Sequence, residues 1–481
     1  MLFTEPTFLF VFLPVLLALY QLPGLRYRNW LLLAASIIFY TRGAGNFTWL
    51  VLALIGFNYM AARLIDRHRT TVLGRRLLAG AVAIDLLVLA VFKYADFAVG
   101  NLNAALALAG VQPFALPGIL LPIGISFFTF HAISYVVDVY RQDASAQKRP
   151  VKAALYLLVF PQLIAGPIVR YRQIAEQLSS RVTSLDDFAY GVRRFVIGLS
   201  KKMLIANTLA GPADQIFAMP AAELTALHAW TGVVCYTLQI YFDFSGYSDM
   251  AIGLGRMFGF HFPENFNYPY TATSIQDFWR RWHMSLSAWF RDYVYIPLGG
   301  NRTSTARMYF NLVLVFFLCG LWHGASWTFV VWGLYHGVFL MLERAGLTDR
   351  VGVLPKPMRH AYALLVVMVG WVFFRADTLG SALAMLAAMG GAGGAVPAVY
   401  APAWFWTTDV LLALTAGAVG SMPVLHALAQ LLASPAESGR GAPVVRWHGS
   451  IFALLALTTM LAASLMLSAA GSYNPFIYFR F

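Results

Sequence analysis

The stretch FNLVLVFFLCGLWHGASWTFVVWGLYHGVFLML, residues 310–342, decides the fold class of this chain. It is long enough to cross a bilayer, since a transmembrane helix needs about 20 mostly apolar residues. Between Asn311 and Leu342 only His323 and His336 have side chains that ordinarily titrate near neutral pH. Similar apolar runs recur along all 481 residues, of which 59% are hydrophobic and 11% charged, against about 25% charged in soluble proteins. We therefore predict a polytopic, all-α membrane protein.

Interrupted apolar runs limit the number of complete crossings, which we predict to be about eleven, beside re-entrant or interfacial helices. The run from Leu155 to Arg172 contains Pro161, Gly166 and Pro167. A break at membrane depth is tolerated only where protein or water meets the freed backbone groups, so this run predicts a re-entrant or buried piece. Residues 380–403 and 433–446 are predicted connections. Without an internal repeat or a soluble domain, residues 1–481 are predicted to form one membrane domain.

The net charge of +13 is spread over short loops, a pattern that argues against a nucleic-acid partner and for membrane lipids. The loops after the first, third and fifth apolar runs are basic, whereas the fourth, from Asp96 to Pro117, has no Lys or Arg. Because positive loops stay in the cytoplasm, the N-terminus is predicted to face outward and to begin a retained helix. The two cysteines give neither a disulfide framework nor a zinc spacing, so no metal site is expected.

The segment SIQDFWRRWHMSLSAWFRDY, residues 274–293, is predicted to be one amphipathic helix that is too charged to span the membrane. Ser274 is the expected N-cap. Trp282 lies on the apolar side, and Arg280 and His283 lie on the polar side. The helix could lie flat at the membrane surface, with His283 a surface group. It could also enter the protein, with His283 and Arg280 on a substrate path.

His323 is the strongest candidate for a catalytic group. An ionisable residue at bilayer depth indicates function by default, and a neutral imidazole is a competent general base. Gly320 and Gly324 would leave room for a ligand or for a close helix. The alternative is a histidine that is hydrogen-bonded into helix packing, and this reading is favoured for His336. The sequence has no phosphate-binding loop, nucleophile elbow or zinc-binding histidine pair.

Buried acids are predicted to be structural. Asp85 lies in an apolar run and is expected to form a helix-packing contact. Asp243 and Asp249 are expected to pair with Arg256 or with another basic residue, because a buried charge needs a partner.

Five motifs together resemble the membrane-bound O-acyltransferase family, in particular the bacterial branch that includes the alginate O-acetylation membrane protein. They are FWRRWHMSLSAWFRDYVYIPLGG (278–300), GLWHGASWTFVVWGLYHG (320–337), FPQLIAGPIVRYR (160–172), YFDFSGYSDMAIGLGRMFGF (241–260) and NPFIYFRF (474–481). The resemblance implies a ring of helices around a central tunnel in the bacterial inner membrane. It also implies transfer of an acetyl group from a cytoplasmic thioester, with acetyl-CoA the expected donor and no permanently bound cofactor. The acceptor would be an exopolysaccharide such as alginate or cellulose, reached through a periplasmic partner.

By motif, His323 corresponds to the essential histidine of the family and His283 to a second, nearby polar residue. The resemblance implies that His323 removes a proton from the acceptor hydroxyl. His283 would orient the donor or stabilise the oxyanion, and a covalent acetyl-imidazole is the alternative chemistry. The residues expected to bind substrate are Arg280, Arg281, Trp282, Ser287, Arg291, Trp322 and His336, the arginines for the phosphates of CoA.

Other functions remain open at this point. A related activity is transfer of D-alanine from a carrier protein to teichoic acid. Buried histidines and broken helices would also suit a proton-coupled transporter. A third possibility is a scaffold that only recruits a periplasmic acetylase.

Overall fold

The computed structural model describes residues 1–22, 24–115, 118–424 and 451–471. Regular structure in these ranges is helical, without strands, which confirms the all-α prediction. The α-helices are α1 Leu13–Tyr20, α2 Leu25–Ala44, α3 Phe47–His68, α4 Val72–Leu108, α5 Ile125–Arg141, α6 Pro150–Leu158, α7 Phe160–Leu163, α8 Tyr171–Ile174, α9 Leu185–Ser200, α10 Asn207–Phe217, α11 Ala226–Met257, α12 Ile275–Trp279, α13 Met284–Phe290, α14 Thr305–His323, α15 Trp327–Leu342, α16 Thr348–Gly352, α17 Lys356–Arg375, α18 Leu379–Met389, α19 Thr408–Gly420 and α20 Ile451–Ala469. Single π-helical turns span Phe8–Phe12, Lys201–Ala206, Arg291–Tyr295 and Glu343–Leu347, and 3₁₀ turns span Pro269–Thr271 and Pro402–Phe405.

Five described helices are long and apolar enough to cross a membrane, namely α3, α4, α14, α17 and α20. Shorter apolar helices add to them at Phe8–Tyr20, Leu379–Met389 and Thr408–Gly420. Length and composition therefore support a multi-pass membrane protein, while the number of eleven crossings stays a prediction. The predicted linker 433–446 and the motif at 474–481 lie outside the described residues.

The predicted loop from Asp96 to Pro117 is wrong in its first half. Helix α4 continues to Leu108 over 37 residues. The sequence between Asp96 and Leu108 is rich in Ala and Leu, which are strong helix formers, and this preference extends the helix beyond the apolar run. By contrast, the predicted connection at 380–403 is confirmed as α18 followed by irregular chain.

Helix α11 lies at the centre of the fold and is buried along most of its length. It packs closely on α9 through glycines, since a Cβ on Gly198 would stand 2.5 Å from the carbonyl oxygen of Gly246. Its two acids are paired as predicted, although not with Arg256. Lys202 lies 2.6 Å from Asp243, and Lys201 lies 2.7 Å from Asp249.

The interrupted run after α6 is confirmed as a buried piece. The chain leaves helical geometry at Val159, and Ala165 and Val169 are fully enclosed. The backbone N–H of Ile168 donates to the hydroxyl of Ser285 at 2.9 Å. This bond ties the broken segment to α13.

The prediction of one continuous helix from Ile275 to Tyr293 is wrong. Ser274 caps α12 as expected, and its hydroxyl accepts from the N–H of Asp277 at 3.0 Å. The helix then stops at Trp279, and α13 begins at Met284. The side chains on both sides of the break are buried, including those of Phe278, Trp282, His283 and Leu286. The segment therefore enters the protein, because tertiary packing prevails over the amphipathic period.

Candidate active site

His283 adopts a left-handed backbone conformation, with φ 42° and ψ 53°. This conformation costs roughly 1–3 kcal/mol for a residue other than glycine. Two backbone hydrogen bonds hold the turn against the segment that contains Asn265, from Met284 N–H to the carbonyl of Asn265 and from Asn267 N–H to the carbonyl of Arg281, each 2.9 Å long. Because of this backbone conformation, the buried imidazole leaves the chain in a different direction from the one that a continuous helix would give it.

Asn265 sets the tautomer of His283. Its Oδ1 accepts from the backbone N–H of Ser285 at 3.2 Å and from the Ser285 hydroxyl at 2.8 Å, so the atom at that position is the oxygen. Nδ1 of His283 lies 3.1 Å from the same oxygen and must therefore carry the proton. Nε2 then has a free lone pair, and it has no hydrogen-bond partner among the described residues.

His323 has the same tautomer for a different reason. It is the last residue of α14, and its Nδ1 lies 2.7 Å from the carbonyl oxygen of Cys319, one helical turn earlier. A carbonyl can only accept, so Nδ1 bears the proton and Nε2 is the basic nitrogen. Nε2 makes no hydrogen bond within the part of the chain that the structure describes. His323 is buried, with 4% of its surface exposed.

One indole ring, that of Trp322, adjoins both imidazoles. Its centroid lies 4.8 Å from the ring of His323 and 6.3 Å from the ring of His283. It stacks on Phe130 at 4.9 Å. Nε1 of Trp322 is enclosed and finds no acceptor in the described ranges. Two basic nitrogens and one unused N–H donor thus belong to one cluster, called here the two-histidine site (His283, Trp322 and His323).

A cavity of about 850 Å³ lies between α12–α13 and α14–α15 and approaches this site. Met284, the neighbour of His283, and Cys319 both line it, and the Cys319 sulfur is 3.8 Å from Nδ1 of His323. The rim is cationic, with exposed Arg280 and Arg291. The volume falls within the range of small-molecule sites, about 300–1,000 Å³.

The seven predicted substrate residues divide into four groups, of which the first is Trp322, in the two-histidine site. Arg280, Ser287 and Arg291 line the 850 Å³ cavity. Arg281 instead lines a second cavity and forms a 2.8 Å ion pair with Asp277. The remaining two, Trp282 and His336, are enclosed by aromatic rings. For His336, the imidazole packs edge-on to Trp279 and Trp332 at 5.2 and 5.4 Å.

The space beside Gly320 and Gly324 is filled by atoms of Phe329. A Cβ on Gly320 would lie 2.4 Å from the carbonyl oxygen of Phe329, and one on Gly324 would lie 2.2 Å from the Phe329 ring. The two glycines therefore permit close packing of α14 on α15. Of the two expectations for these positions, the close helix is the one observed.

Lys93 and Tyr94 were not predicted as site residues, although they hold the end of α14. Nζ of Lys93 donates to the carbonyl of Trp322 and, at 3.3 Å, to that of His323. The hydroxyl of Tyr94 donates to the carbonyl of Leu321 at 2.8 Å. The last carbonyls of a helix lack intrahelical partners, and a cation is favoured there. The sequence feature that could have identified this role is Lys93 itself, a lone lysine at the end of an apolar run.

His131 is a second residue that the sequence analysis missed. It lies on α5, is fully buried, and neither ring nitrogen has a described partner. Its signal was an isolated histidine in the apolar stretch ISFFTFHAISYVV, residues 125–137.

Three arginines surround Asp292, and one of them, Arg291, lines the cavity. Arg170 contacts this carboxylate, Arg172 lies 2.6 Å from it and Arg291 lies 2.8 Å from it. Burial alone would raise the pKa of Asp292, but the hydrogen bond from Arg291 and the charges of the three arginines hold its pKa below the usual value. Asp292 is therefore ionised at neutral pH and fixes the position of Arg291.

Comparison with known proteins decides the family. The model of the family described as MBOAT, membrane-bound O-acyltransferase, matches residues 106–375, a range that contains both histidines. The chain belongs to the membrane-bound O-acyltransferase family. Its activity is thereby tied to O-acyl transfer, and the multi-pass membrane architecture is that of an acyltransferase.

Full-length relatives narrow the class of acyl transfer. The chain is 44% identical to the "Probable alginate O-acetylase AlgI" of Azotobacter vinelandii over all of both chains. It is 38% identical to the "Peptidoglycan O-acetyltransferase" of Helicobacter pylori, over 82% of this chain and 80% of the relative. The "Teichoic acid D-alanyltransferase" of Bacillus subtilis matches at 33% over 45% of this chain and 58% of the relative. Membrane O-acetylation is therefore favoured over D-alanyl transfer and over transport.

Proposed function

We propose that this protein is an inner-membrane O-acetyltransferase that draws acetyl groups from acetyl-CoA for an exopolysaccharide, with alginate as the first candidate polymer. The observation that carries the proposal is the two-histidine site, whose two Nε2 lone pairs are free. The neighbouring residues Met284 and Cys319 line a cavity with a cationic rim, although the three residues of the site do not line it themselves. The extent and identity of the alginate-type relatives support the polymer.

The 850 Å³ cavity is the proposed donor site. Arg280 and Arg344 line it and make no ion pair with a described residue, so they can meet the phosphates of CoA. Glu343 is a lining acid, but its carboxylate is already engaged by the backbone N–H groups of Ile275 and Gln276 at 2.6 and 2.9 Å. Basic loops stay in the cytoplasm, so the rim is expected to face the cytoplasmic CoA pool.

His323 is the proposed general base. Nε2 removes the proton of the acceptor hydroxyl while its oxygen attacks the thioester carbonyl. The carbon–sulfur bond then breaks, and the departing thiolate of CoA takes the proton from the imidazolium. The hydrogen bond from Nδ1 to Cys319 holds the ring and stabilises its charged form. The acceptor is the polymer or a hydroxyl of a periplasmic partner that passes the acetyl group on.

His283 and Trp322 have complementary roles in this proposal. With its Nδ1 proton committed to Asn265, neutral His283 can only accept at Nε2, which suits it to orient a donor amide or the acceptor hydroxyl rather than to stabilise an anion. The N–H of Trp322 is the donor that an oxyanion requires. Its unmet hydrogen bond in the described part of the chain is the reason for this assignment.

Cysteine labelling tests the donor site. The chain has two cysteines, both buried, and Cys319 lines the cavity whereas Cys235 does not. A small methanethiosulfonate reagent should modify Cys319, acetyl-CoA should protect it, and Cys235 should stay unmodified as the internal control. Labelling of Cys319 that acetyl-CoA leaves unchanged would place the donor elsewhere.

Polymer analysis tests the reaction. A strain that lacks the gene should secrete polymer without acetyl esters, and His323→Ala should fail to restore them at equal protein abundance. His336→Asn is the matched control, because that ring is also buried but packs on Trp279 and Trp332 instead of Trp322. Full acetylation with His323→Ala would instead favour a scaffold that only recruits an acetylase.

A further inference from the structure

A second cavity, of about 700 Å³, lies between α11, α17 and α19, on a different side of α12 from the donor cavity. Its walls are of two kinds. The apolar part includes Leu238, Leu364 and Met368, and the polar part includes Arg281 and Lys356. An acyl donor that enters between α12–α13 and α14–α15 does not need this cavity.

Along one face of α17 the residues that line the cavity change from polar to apolar. Lys356, His360, Leu364 and Met368 all line the cavity, and they recur every four residues, which places them on one face. The basic pair therefore occupies the start of the helix and the apolar pair the following turns. The twelve helical steps from Lys356 to Met368 rise about 18 Å, close to half of a hydrocarbon core of about 30 Å.

The polar end carries an excess of positive charge. Asp277 is its acidic lining residue and is paired with Arg281 at 2.8 Å. Lys356 is exposed and forms no ion pair within the described ranges. The hydroxyl-bearing Thr271 and Thr273 line the same end. The cavity thus offers cations and hydroxyls at one end and aliphatic side chains at the other.

We propose that this cavity binds one anionic phospholipid of the cytoplasmic leaflet. The phosphate contacts Arg281 and Lys356, and an acyl chain follows the apolar face of α17. Basic pockets between transmembrane helices on the cytoplasmic side suit anionic head groups. The charge complementarity and the half-bilayer depth together distinguish this occupant from a soluble anion, which would leave the apolar wall empty. Arg281 is accordingly assigned to lipid rather than to the acetyl donor.

Native mass spectrometry of the full-length chain tests the site. The purified protein is offered equal amounts of phosphatidylglycerol and phosphatidylcholine with identical acyl chains. Wild type should retain one phosphatidylglycerol in preference to phosphatidylcholine, and Lys356→Gln should lower this occupancy about fivefold. Arg350→Gln removes an exposed charge nearby that does not line the cavity, and it should leave the occupancy unchanged.

A second variant tests the acyl chain. Ala418 is an exposed lining residue of α19, so Ala418→Trp fills the groove without altering a charge or the core. It should abolish retention of the lipid. The proposal is overturned if wild type shows no preference for the anionic lipid, if Ala418→Trp still binds it, or if millimolar inorganic phosphate displaces it as effectively as phosphatidylglycerol does.

Discussion

Trp322→Phe is the most informative single substitution in the two-histidine site, because it removes one N–H group and keeps an aromatic ring. The phenyl ring retains the stacking surface against Phe130, which lies 4.9 Å away at 22° to the indole, and it retains the edge contact with His323. The indole nitrogen has no acceptor among the described residues. The folded protein without substrate therefore loses no hydrogen bond.

The expected loss is in the transition state. Removing one oxyanion donor costs about 100- to 1,000-fold in kcat, or about 2.7–4 kcal/mol. Stability should change far less, because losing part of a buried aromatic ring, without losing a hydrogen bond, removes only some packing. We expect kcat for acetyl transfer to fall at least 100-fold, with the KM for acetyl-CoA within threefold of wild type.

Trp332→Phe is the matched control. The Trp332 indole is also buried, its Nε1 also lacks a described partner, and its ring is likewise 4.8 Å from that of His323. It packs toward His336 and Trp371 instead of His283. Turnover of radiolabelled acetyl-CoA by the purified protein with its acceptor measures both variants. Equal losses in the two, or wild-type kcat with Trp322→Phe, would refute the assignment of the oxyanion donor.

Four further substitutions, at three positions, test the supports of the site. Lys93→Met should destabilise the end of α14 by about 2–4 kcal/mol, since charged hydrogen bonds contribute about 1.5–3 kcal/mol each. It should also lower kcat, because His323 would be displaced. Thermal unfolding and acetyl-CoA turnover measure the two effects, and wild-type values for both would contradict the role of Lys93. Asn265→Leu should lower the free energy of unfolding by about 3 kcal/mol, because Nδ1 of His283 and the N–H and hydroxyl of Ser285 lose their shared acceptor. Asn265→Asp keeps an acceptor oxygen at this position and should fold. Asp292 has a depressed pKa in the folded protein, so its stabilisation is present above its unfolded pKa of about 4 and is lost as the pH falls through the folded value. Asp292→Asn should lower the melting temperature at pH 7 and flatten its decline below pH 4, and an unchanged acid limb would show that other carboxylates control it.

The sequence predicted the class of the fold. Apolar length alone was enough for a multi-pass helical protein, and an isolated His323 in an apolar tract singled out a candidate catalytic residue, whose role stays a prediction. The arrangement around His283 was not predictable in the same way. The helical period of 3.6 residues continues through residues 275–293. The amino-acid sequence alone does not show that Asn265 supplies the hydrogen bonds that break the helix there.

For a related reason, the sequence did not predict that Arg280 and Arg281 line different cavities. Arg280 and Arg281 are adjacent, and the family resemblance implied that both bind the phosphates of CoA. In a helix, neighbouring residues point about 100° apart, and here α12 separates two cavities, so the two side chains enter different ones. Lys93 shows the same limit, because its partners are carbonyl groups some 230 residues away, and backbone acceptors leave no pattern in a sequence.

The two histidines of the proposed site differ in the atoms that accept their Nδ1 protons. His283 donates to a side-chain amide oxygen that three donors share, and His323 donates to the backbone carbonyl of Cys319. A backbone carbonyl near a helix C-terminus lies at the negative end of the helix dipole and stabilises a protonated ring, whereas a neutral amide oxygen that already accepts from Ser285 does so less. The imidazole that can best carry a proton in mid-reaction is therefore His323. His283 is better suited to hold a hydroxyl or an amide in place, and this asymmetry gives a physical reason why a transferase would keep both.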